Sequence, residues 1–304
     1  MALDTDSMID RRRLKRRLAL WRIVALGAVL GLIAVAIGRV PQLTAEDHVA
    51  VLWIEGMILT DPYREEAIRA LASDETVSAL IVHIDSPGGT TFGSEALYLA
   101  VAEVSDVVPV VAVMNGVAAS GGYMTALAAD HILARESTIT GSIGVIMQAT
   151  NFVGLMEKLG IENESIKSGP LKAEPNPMSR MTPQAREAAN TVVTGVHEMF
   201  VDMVAKGRNM PRAEAARLAD GRIYTGTIAH EVGLIDAIGG EQDAIAWLES
   251  EHGIDPDLPL IEVEIDYPER LIDQLASVVI GKPFLTERLR LDGLMSLWHP
   301  LRAE

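Results

Sequence analysis

The chain has 304 residues, 49% of them hydrophobic, and a formal net charge of −16 at pH 7. This length allows one large domain or two small ones, and the absence of cysteine excludes disulfides, thiolate nucleophiles and Cys-based zinc sites. Residues 1–40 hold eight of the 26 Lys and Arg residues and three of the 42 acidic residues, so the negative charge belongs to the rest of the chain. A body this acidic repels phosphate backbones, and we expect no nucleic-acid partner.

The chain begins with a cationic block that is followed by an apolar run. Six of the seven residues in 11–17 are basic, and the uncharged run 23–38 spans about 24 Å as a helix. With its flanks it approaches the ~30 Å hydrocarbon core of a bilayer, so we predict a cytoplasmic segment at 1–17 and a transmembrane anchor at 18–40. The basic excess before the span predicts a body on the outer face of the bacterial cytoplasmic membrane.

The alternative to an anchor is a secretory signal peptide that is removed. Ala34-Val35-Ala36 offers a cleavage site of the A-x-A type. We favour the uncleaved anchor because the apolar run is long and the residues around this site are not polar. The basic block disfavours a third interpretation, a helix buried in the core of a domain.

Beyond a linker at 41–48, apolar β-branched runs alternate with segments of helical periodicity. Such alternation favours an α/β fold with a largely parallel sheet. We place one domain at 49–250 and a C-terminal extension at 251–304. Its last part, 285–304, is amphipathic; we expect a packed surface helix there, and a partner-binding or chamber-capping helix is the alternative. The predicted strands are 49–56, 79–85, 109–116, 131–134, 143–147 and 260–265, and the predicted helices include 63–74, 93–104, 121–130 and one from Thr182-Pro183 to about Gly207.

Ser120 lies among small residues in the stretch NGVAASGGYMTALAAD, residues 115–130. A predicted strand turns there into a helix, so the hydroxyl lies where a helix presents free N–H groups. Small neighbours allow another chain to approach closely, which suits a nucleophile whose developing oxyanion is held by backbone donors. An ordinary N-cap serine is the other interpretation of this residue.

A second glycine-rich turn, HIDSPGGTTFG at 83–93, also follows a predicted strand and precedes a helix. Pro87 pre-sets the turn, and Gly88 and Gly89 permit a positive φ and an exposed N–H. If the two strands are neighbours, both turns aim backbone donors at one point, as an oxyanion hole requires. A plain connection between strand and helix is the alternative.

A serine nucleophile needs a base, because its hydroxyl is weakly nucleophilic at neutral pH. None of the seven histidines stands in a glycine-rich context, and His83, inside a predicted strand, is expected to be a packed residue. Lysine is the other option. Lys167 and Lys172 lie in IKSGPLKAEPNPMSRMTP, residues 166–183, whose Gly, Pro and Asn content predicts a loop. By chemistry alone, a solvated loop lysine is the more common case.

Five motifs together carry a resemblance to a known family: DSPGG (85–89), AASGGY (118–123), TGSIGV (140–145), SGPLK (168–172) and ADGRIYTG (219–226). Their order and spacing resemble those of signal peptide peptidase A, a serine peptidase family with a ClpP/crotonase-like fold. Because no motif occurs twice, the chain is similar to the short, single-domain form of that family.

The resemblance implies a role for each matching residue. Ser120 would be the nucleophile, Lys172 the general base, Ser142 the hydroxyl that orients the lysine amine, and Gly89 and Gly121 the oxyanion hole. Ala173 stands where the family usually has Asp or Ser after the lysine. To accept a proton Lys172 must be uncharged, so we expect an apolar cleft with the acidic residues elsewhere.

The resemblance also implies a homo-oligomeric ring, in which serine and lysine can meet across a subunit boundary, and peptide substrates such as cleaved signal peptides. An envelope protein quality-control peptidase is a close variant. A crotonase-like acyl-thioester enzyme, using only the oxyanion hole, and a non-catalytic membrane scaffold are the other classes. No nucleotide-binding loop and no His/carboxylate cluster with metal-ligand spacing occurs in the sequence, so we expect no cofactor and no metal.

Overall fold

The structure, a computed structural model, describes residues 46–267 and 295–297, and positions 21, 22, 24–27 and 29. The chain divides into two compact units, residues 1–46 and 47–304. In the first unit the described positions are helical, apart from residue 46. Within the described part of the chain, no helix has both the length and the apolar character needed to cross a membrane. The predicted basic segment at 1–17 and most of the predicted anchor at 18–40 lie outside the described residues.

The second unit is built on a sheet of nine described strands. The strands are His48–Ile58 (β1), Val77–Thr90 (β2), Val110–Ala119 (β3), His131–Ala134 (β4), Ile139–Gly141 (β5), Ile223–Thr225 (β6), Ala237–Ile238 (β7), Leu260–Glu262 (β8) and Met295–Leu297 (β9). Strands β1, β2 and β3 run parallel side by side at the centre of the sheet, and β8, β5, β4 and β7 extend it in parallel, whereas β6 and β9 pair antiparallel with β5 and β2. The predicted α/β fold with a largely parallel sheet is confirmed.

Four of the eight described helices of this unit begin at a residue whose side chain caps the first turn. The side chain of Thr182 accepts a hydrogen bond from the N–H of Ala185, and Pro183 occupies the first turn of the longest helix, as predicted. The side chain of Thr90 caps the helix that follows β2 in the same way. The helices are Pro62–Leu71 (α1), Thr91–Ser105 (α2), Gly121–Ala126 (α3), Val153–Leu159 (α4), Pro183–Gly207 (α5), Arg212–Leu218 (α6), Gly226–Glu231 (α7) and Glu241–His252 (α8).

Both faces of the central sheet are buried. Val82 and Ile84 of β2 belong to the larger core cluster, together with Val101 of α2. Ile81, on the opposite face of β2, joins a smaller cluster with Leu248 of α8. A parallel strand covered on both sides must be apolar at nearly every position, which explains why these strands appear in the sequence as continuous apolar runs.

The structure corrects two of the predicted elements. The prediction of a strand at 143–147 is wrong. Strand β5 ends at Gly141, because positive φ angles at Gly141 and Ser142 turn the chain out of the sheet. The prediction of a surface helix at 285–304 is wrong for Met295–Leu297, because these residues form a strand. The remainder of that range lies outside the described residues.

Candidate active site

Ser120 lies between the end of β3 and the start of α3, and its backbone is strained. Its φ and ψ angles are 54° and −115°, a combination that L-amino acids rarely adopt because the Cβ atom crowds the backbone. The residue is only 1% exposed. Its side chain makes no capping hydrogen bond to α3, so the interpretation of Ser120 as an ordinary N-cap serine is wrong.

Strand β5 holds this turn in place. It runs parallel to β3 with Ala119 opposite Gly141, and the N–H of Ser120 donates a 2.7 Å hydrogen bond to the carbonyl oxygen of Gly141. The next residue, Ser142, has a φ angle of 49°, and its N–H donates a 2.7 Å hydrogen bond to the carbonyl oxygen of Arg222. The structure therefore brings Ser120 and Ser142 to neighbouring strand ends.

The two glycine-rich turns meet beside Ser120. A Cβ atom added to Gly121 would lie 2.0 Å from Oγ of Ser94 and 3.3 Å from Cα of Gly88. A Cβ atom added to Gly89 would lie 1.8 Å from the carbonyl oxygen of Ile58. Any side chain at these two positions would overlap its neighbours, so glycine is required for this close approach. The two glycine-rich stretches therefore come together as expected, although Gly88 and Gly89 belong to the last residues of β2 and not to a turn that follows the strand.

Two buried serines, which no motif in the sequence singled out, make hydrogen bonds to the last residues of β2. Ser86 and Ser94 are both 0% exposed. Oγ of Ser86 accepts a 3.1 Å hydrogen bond from the N–H of Gly88, and Oγ of Ser94 donates a 2.9 Å hydrogen bond to the carbonyl oxygen of Thr90. Both hydrogen bonds are local, whereas the approach of Ser94 to Gly121 joins distant parts of the chain, and no local sequence pattern signals such an approach.

Lys172 differs from these residues because it is exposed. It lies in a turn within the irregular segment between α4 and α5, as the Gly- and Pro-rich sequence predicted, and Ala173 beside it has a φ angle of 62°. The other lysine of this segment, Lys167, forms a 2.6 Å ion pair with Glu174. The hydrogen bond from Lys167 lowers the pKa of the Glu174 carboxyl.

The segment that carries Lys172 also exposes much apolar surface. We define residues 146–178 as the apolar arm; its helix α4 has no buried residue. A soluble protein rarely leaves so many apolar side chains in water unless a partner or ligand covers them. The exposed apolar residues of the arm are Ile146, Phe152, Leu155, Leu159, Ile161, Ile166, Leu171 and Met178.

His83 is a packed residue, as predicted. It is 3% exposed, its ring stacks on Trp53 with 4.1 Å between ring centroids, and Nε2 lies 2.9 Å from Oε2 of Glu241. These contacts hold the imidazole against α8, which accounts for its burial without a catalytic role.

Comparisons with known proteins agree with a peptidase. The family model described as Peptidase family S49 matches residues 102–255, a range that contains Ser120, Ser142 and Lys172. A candidate protease from Synechocystis sp. is 37% identical over 214 residues, which are 70% of this chain and 77% of that protein. A candidate signal peptide peptidase SppA from Enterococcus faecium is 36% identical over 66% of this chain and 58% of its own length.

A more distant relative and one solved structure complete the comparison. The chloroplastic serine protease SPPA of Arabidopsis thaliana is 34% identical over 76% of this chain, which spans only 36% of that longer protein. A ClpP1 variant from Listeria monocytogenes overlaps 64% of this chain and 92% of its own, at 16% identity and a TM-score of 0.41, a value that assigns no fold family. On the family match and the Synechocystis relative, the chain belongs to peptidase family S49, and it is a serine peptidase of the signal peptide peptidase A family.

Proposed function

We propose that this chain is a membrane-anchored endopeptidase that cleaves residual signal peptides and other apolar peptides on the outer face of the cytoplasmic membrane, with Ser120 and Lys172 as its catalytic dyad. The observation that carries the proposal is the strained, buried Ser120, held between the glycine turn of β2 and the end of β5. Backbone strain of about 1–3 kcal/mol persists where the surrounding structure enforces it, and such strain is concentrated at active sites.

In this mechanism the uncharged amine of Lys172 accepts the proton of the Ser120 hydroxyl as Oγ attacks the scissile carbonyl carbon. The N–H groups of Gly89 and Gly121 hold the oxyanion of the tetrahedral intermediate. The lysine ammonium then protonates the leaving amine, which departs as the acyl-enzyme forms. A water molecule repeats the sequence and releases the second product. Ser142 orients the lysine amine by a hydrogen bond.

The exposure of Lys172 supports a homo-oligomer as the active unit. A lysine that accepts a proton must be held in its uncharged form, and burial away from water favours that form of an amine. The apolar arm around the lysine offers suitable surface, since its exposed side chains would be buried if a second copy packed against it. We therefore place the complete dyad at a subunit boundary, with the arm of one protomer covered by its neighbour.

The N-terminal sequence and the family support the proposed location and substrate class. A basic block followed by the apolar run at 18–40 suits a single-pass anchor whose N-terminus is cytoplasmic. A peptidase domain held next to the bilayer meets apolar peptides that leave it. Envelope protein quality control is the closest alternative role for the same chemistry.

The test compares hydrolysis of an apolar fluorogenic peptide by full-length protein in detergent. We expect Ser120→Ala and Lys172→Ala each to lower kcat/KM by about 10³-fold or more. Lys167→Ala is the matched control, since it removes a lysine of the same segment, and it should keep most of the activity. A fluorophosphonate probe should label the wild type and leave the Ser120→Ala variant unlabelled.

Mixing the two inactive variants tests the subunit boundary. Protomers that lack Lys172 still carry Ser120, and those that lack Ser120 still carry Lys172, so oligomers assembled from both should recover part of the activity. Absence of recovery from verified mixed oligomers would rule out a dyad shared between protomers. Full activity of the Lys172→Ala variant would rule out the dyad altogether.

A further inference from the structure

The motif ADGRIYTG, residues 219–226, has no role in the proposed mechanism, yet it lies beside the turn that carries Ser142. Strand β6 lies within the motif and pairs antiparallel with β5, with Ile223 opposite Gly141. The carbonyl oxygen of Arg222, one residue earlier, accepts the hydrogen bond from the N–H of Ser142. The motif therefore supports this turn from the side of β5 that faces away from β3.

The first residues of the motif fix the direction of the Arg222 carbonyl. The side chain of Asp220 accepts a 3.1 Å hydrogen bond from the N–H of Arg222 and a 2.8 Å hydrogen bond from its Nε. Between them Gly221 has a φ angle of 87°, which glycine adopts without strain. A Cβ atom added to Gly144 would lie 3.5 Å from Cα of Gly221, so the chain that follows Ser142 packs closely on this turn.

Tyr224 supports the same turn through its ring. The residue is 6% exposed. A Cβ atom added to Gly141 would lie 2.5 Å from Cδ2 and 3.0 Å from Cε2 of Tyr224, so the ring lies directly against the backbone of Gly141. That backbone carries the carbonyl oxygen that accepts the hydrogen bond from the N–H of Ser120. The position of the ring therefore determines where the acceptor for Ser120 lies.

The ring of Tyr224 is itself anchored at its far end. Its hydroxyl donates a 3.0 Å hydrogen bond to the carbonyl oxygen of Leu218, the last residue of α6. The next carbonyl oxygen, that of Ala219, lies 2.8 Å from Nε2 of His197 in α5. Two consecutive carbonyl groups are thus held by side chains from β6 and α5, and the ring is tied to both helices.

We propose that Tyr224 is a positioning residue of the peptidase, whose ring holds Gly141 so that Ser120 and Ser142 keep their places. The proposal rests on the proposed function and adds a residue to the same site. Tyr224 acts through the backbone of Gly141 and takes no part in proton transfer. Because a displacement of reacting groups by about 1 Å can cost about 100-fold in rate, loss of the ring should lower kcat.

The kinetic test compares two substitutions of Tyr224 with a core substitution elsewhere, each in full-length protein in detergent. Tyr224→Leu removes the ring, whereas Tyr224→Phe keeps the ring and removes only the hydrogen bond to Leu218. Leu248→Ala is the control for lost stability, since Leu248 is buried in α8 on the opposite face of the sheet. We expect Tyr224→Leu to lower kcat about 100-fold with little change in KM, and Tyr224→Phe to keep most of the activity. The control should lower the urea midpoint and leave kcat unchanged.

Amide hydrogen exchange keeps the test independent of turnover. The exchange rates of the Ser120 and Ser142 amides are measured by mass spectrometry with peptide fragmentation, relative to the amide of Val82 in the centre of β2. We expect Tyr224→Leu to raise both relative rates about fivefold or more, since the hydrogen bonds to Gly141 and Arg222 are weakened. The Tyr224→Phe variant and the control should leave both relative rates unchanged.

The outcomes separate the two proposals. Equal kcat values for Tyr224→Leu and Leu248→Ala, in active enzyme, would overturn the positioning role and leave the proposed function standing. A loss of kcat in Tyr224→Phe as large as that in Tyr224→Leu would overturn it as well, because it would assign the effect to the hydroxyl. If the wild type hydrolyses no peptide, the proposed function fails. The exchange measurement still decides whether the ring holds the turn, and unchanged relative rates in Tyr224→Leu would show that it does not.

Discussion

The N–H of Ser120 donates a 2.7 Å hydrogen bond to the carbonyl oxygen of Gly141, and this bond links the two strained turns of the site. Ser120, Gly141 and Ser142 all have positive φ angles, of 54°, 81° and 49°. Two of the three are not glycine, so each of those two stores strain of about 1–3 kcal/mol. Pairing of β5 between β3 and β6 supplies the hydrogen bonds that keep this geometry.

The strain at Ser120 is measurable by comparing two variants that both lack the hydroxyl. Glycine adopts the observed φ and ψ without the clash that a Cβ atom causes. We expect Ser120→Gly to be at least as stable as Ser120→Ala in urea unfolding, although both abolish turnover.

The control for this comparison is the buried residue one position earlier, Ala119, whose φ is negative. There the change Ala119→Gly should cost about 1 kcal/mol, since glycine loses more backbone entropy on folding. If glycine lowers the free energy of unfolding relative to alanine by as much at position 120 as at position 119, the backbone of Ser120 is not strained.

Gly121 should be intolerant of alanine because of one identified contact. The added methyl group would lie 2.0 Å from Oγ of Ser94, so Gly121→Ala should lower kcat about 100-fold by displacing the proposed oxyanion donor. The double variant Gly121→Ala with Ser94→Gly removes that overlap and should recover part of the loss, as a double-mutant cycle would show.

The matched control for Gly121 is Gly195, a helical glycine in α5 whose added Cβ atom would meet nothing within 4 Å. Gly195→Ala should leave kcat unchanged and raise the free energy of unfolding by up to about 1 kcal/mol. If Ser94→Gly recovers nothing from the Gly121→Ala variant, overlap with the Ser94 hydroxyl does not cause the defect.

Asp236 should stabilise the fold in a pH-dependent way. Burial alone would raise its pKa, but hydrogen bonds and the charge of Arg208 outweigh burial, and the pKa of Asp236 lies below its usual value. The carboxylate also accepts a 2.8 Å hydrogen bond from the N–H of Ile132. We expect Asp236→Asn to cost about 3 kcal/mol at pH 7, because it leaves the nearly buried Arg208 without its charged partner.

A lowered carboxyl pKa means that this stabilisation is present above the unfolded-state value of about 3.9 and is lost as the pH falls below it. The difference in unfolding free energy between the wild type and Asp236→Asn should therefore shrink below about pH 4. Asp202→Asn is the control, since Asp202 pairs with Arg212 on the exposed surface. This substitution should lower the free energy of unfolding by less than about 1 kcal/mol. A difference that is independent of pH would contradict a carboxylate role.

His131 should make the protein less stable in mild acid. Burial lowers the pKa of this imidazole, and the charge of Asp236 opposes that effect only in part; its ring stacks on Trp247 with 4.7 Å between centroids. A folded-state pKa below the unfolded value of about 6.5 gives stability that is complete above that pH and declines as the pH falls through it.

The measurement for His131 is the free energy of urea unfolding between pH 7.5 and pH 5.5. We expect a decline in the wild type and a smaller decline in the His131→Gln variant. His230→Gln, which removes an exposed histidine of α7, controls for the loss of an imidazole. Parallel profiles for the wild type and His131→Gln would show that protonation of His131 does not contribute.

Periodicity and local chemistry were sufficient to predict most of the secondary structure. Apolar runs predicted β1 to β4, because strands covered on both faces are apolar throughout. Thr182 and Pro183 predicted the start of α5, because capping involves only neighbouring residues. The prediction of a strand at 143–147 was wrong because the end of β5 does not depend on neighbouring residues alone. It is set by positive φ angles at Gly141 and Ser142, which β3 and β6 impose from distant parts of the chain.

By itself, the sequence determined that this protein has an α/β body, one serine among glycines, and the motifs of a peptidase family. Only the tertiary structure decided that a Cβ atom at position 121 would lie 2.0 Å from Oγ of Ser94 and 3.3 Å from Cα of Gly88, and that Ser296 lies opposite Gly89. The physical reason is that helices and strands depend on residues close in the chain, whereas a site is made where strands far apart in sequence pair and fix each other's register.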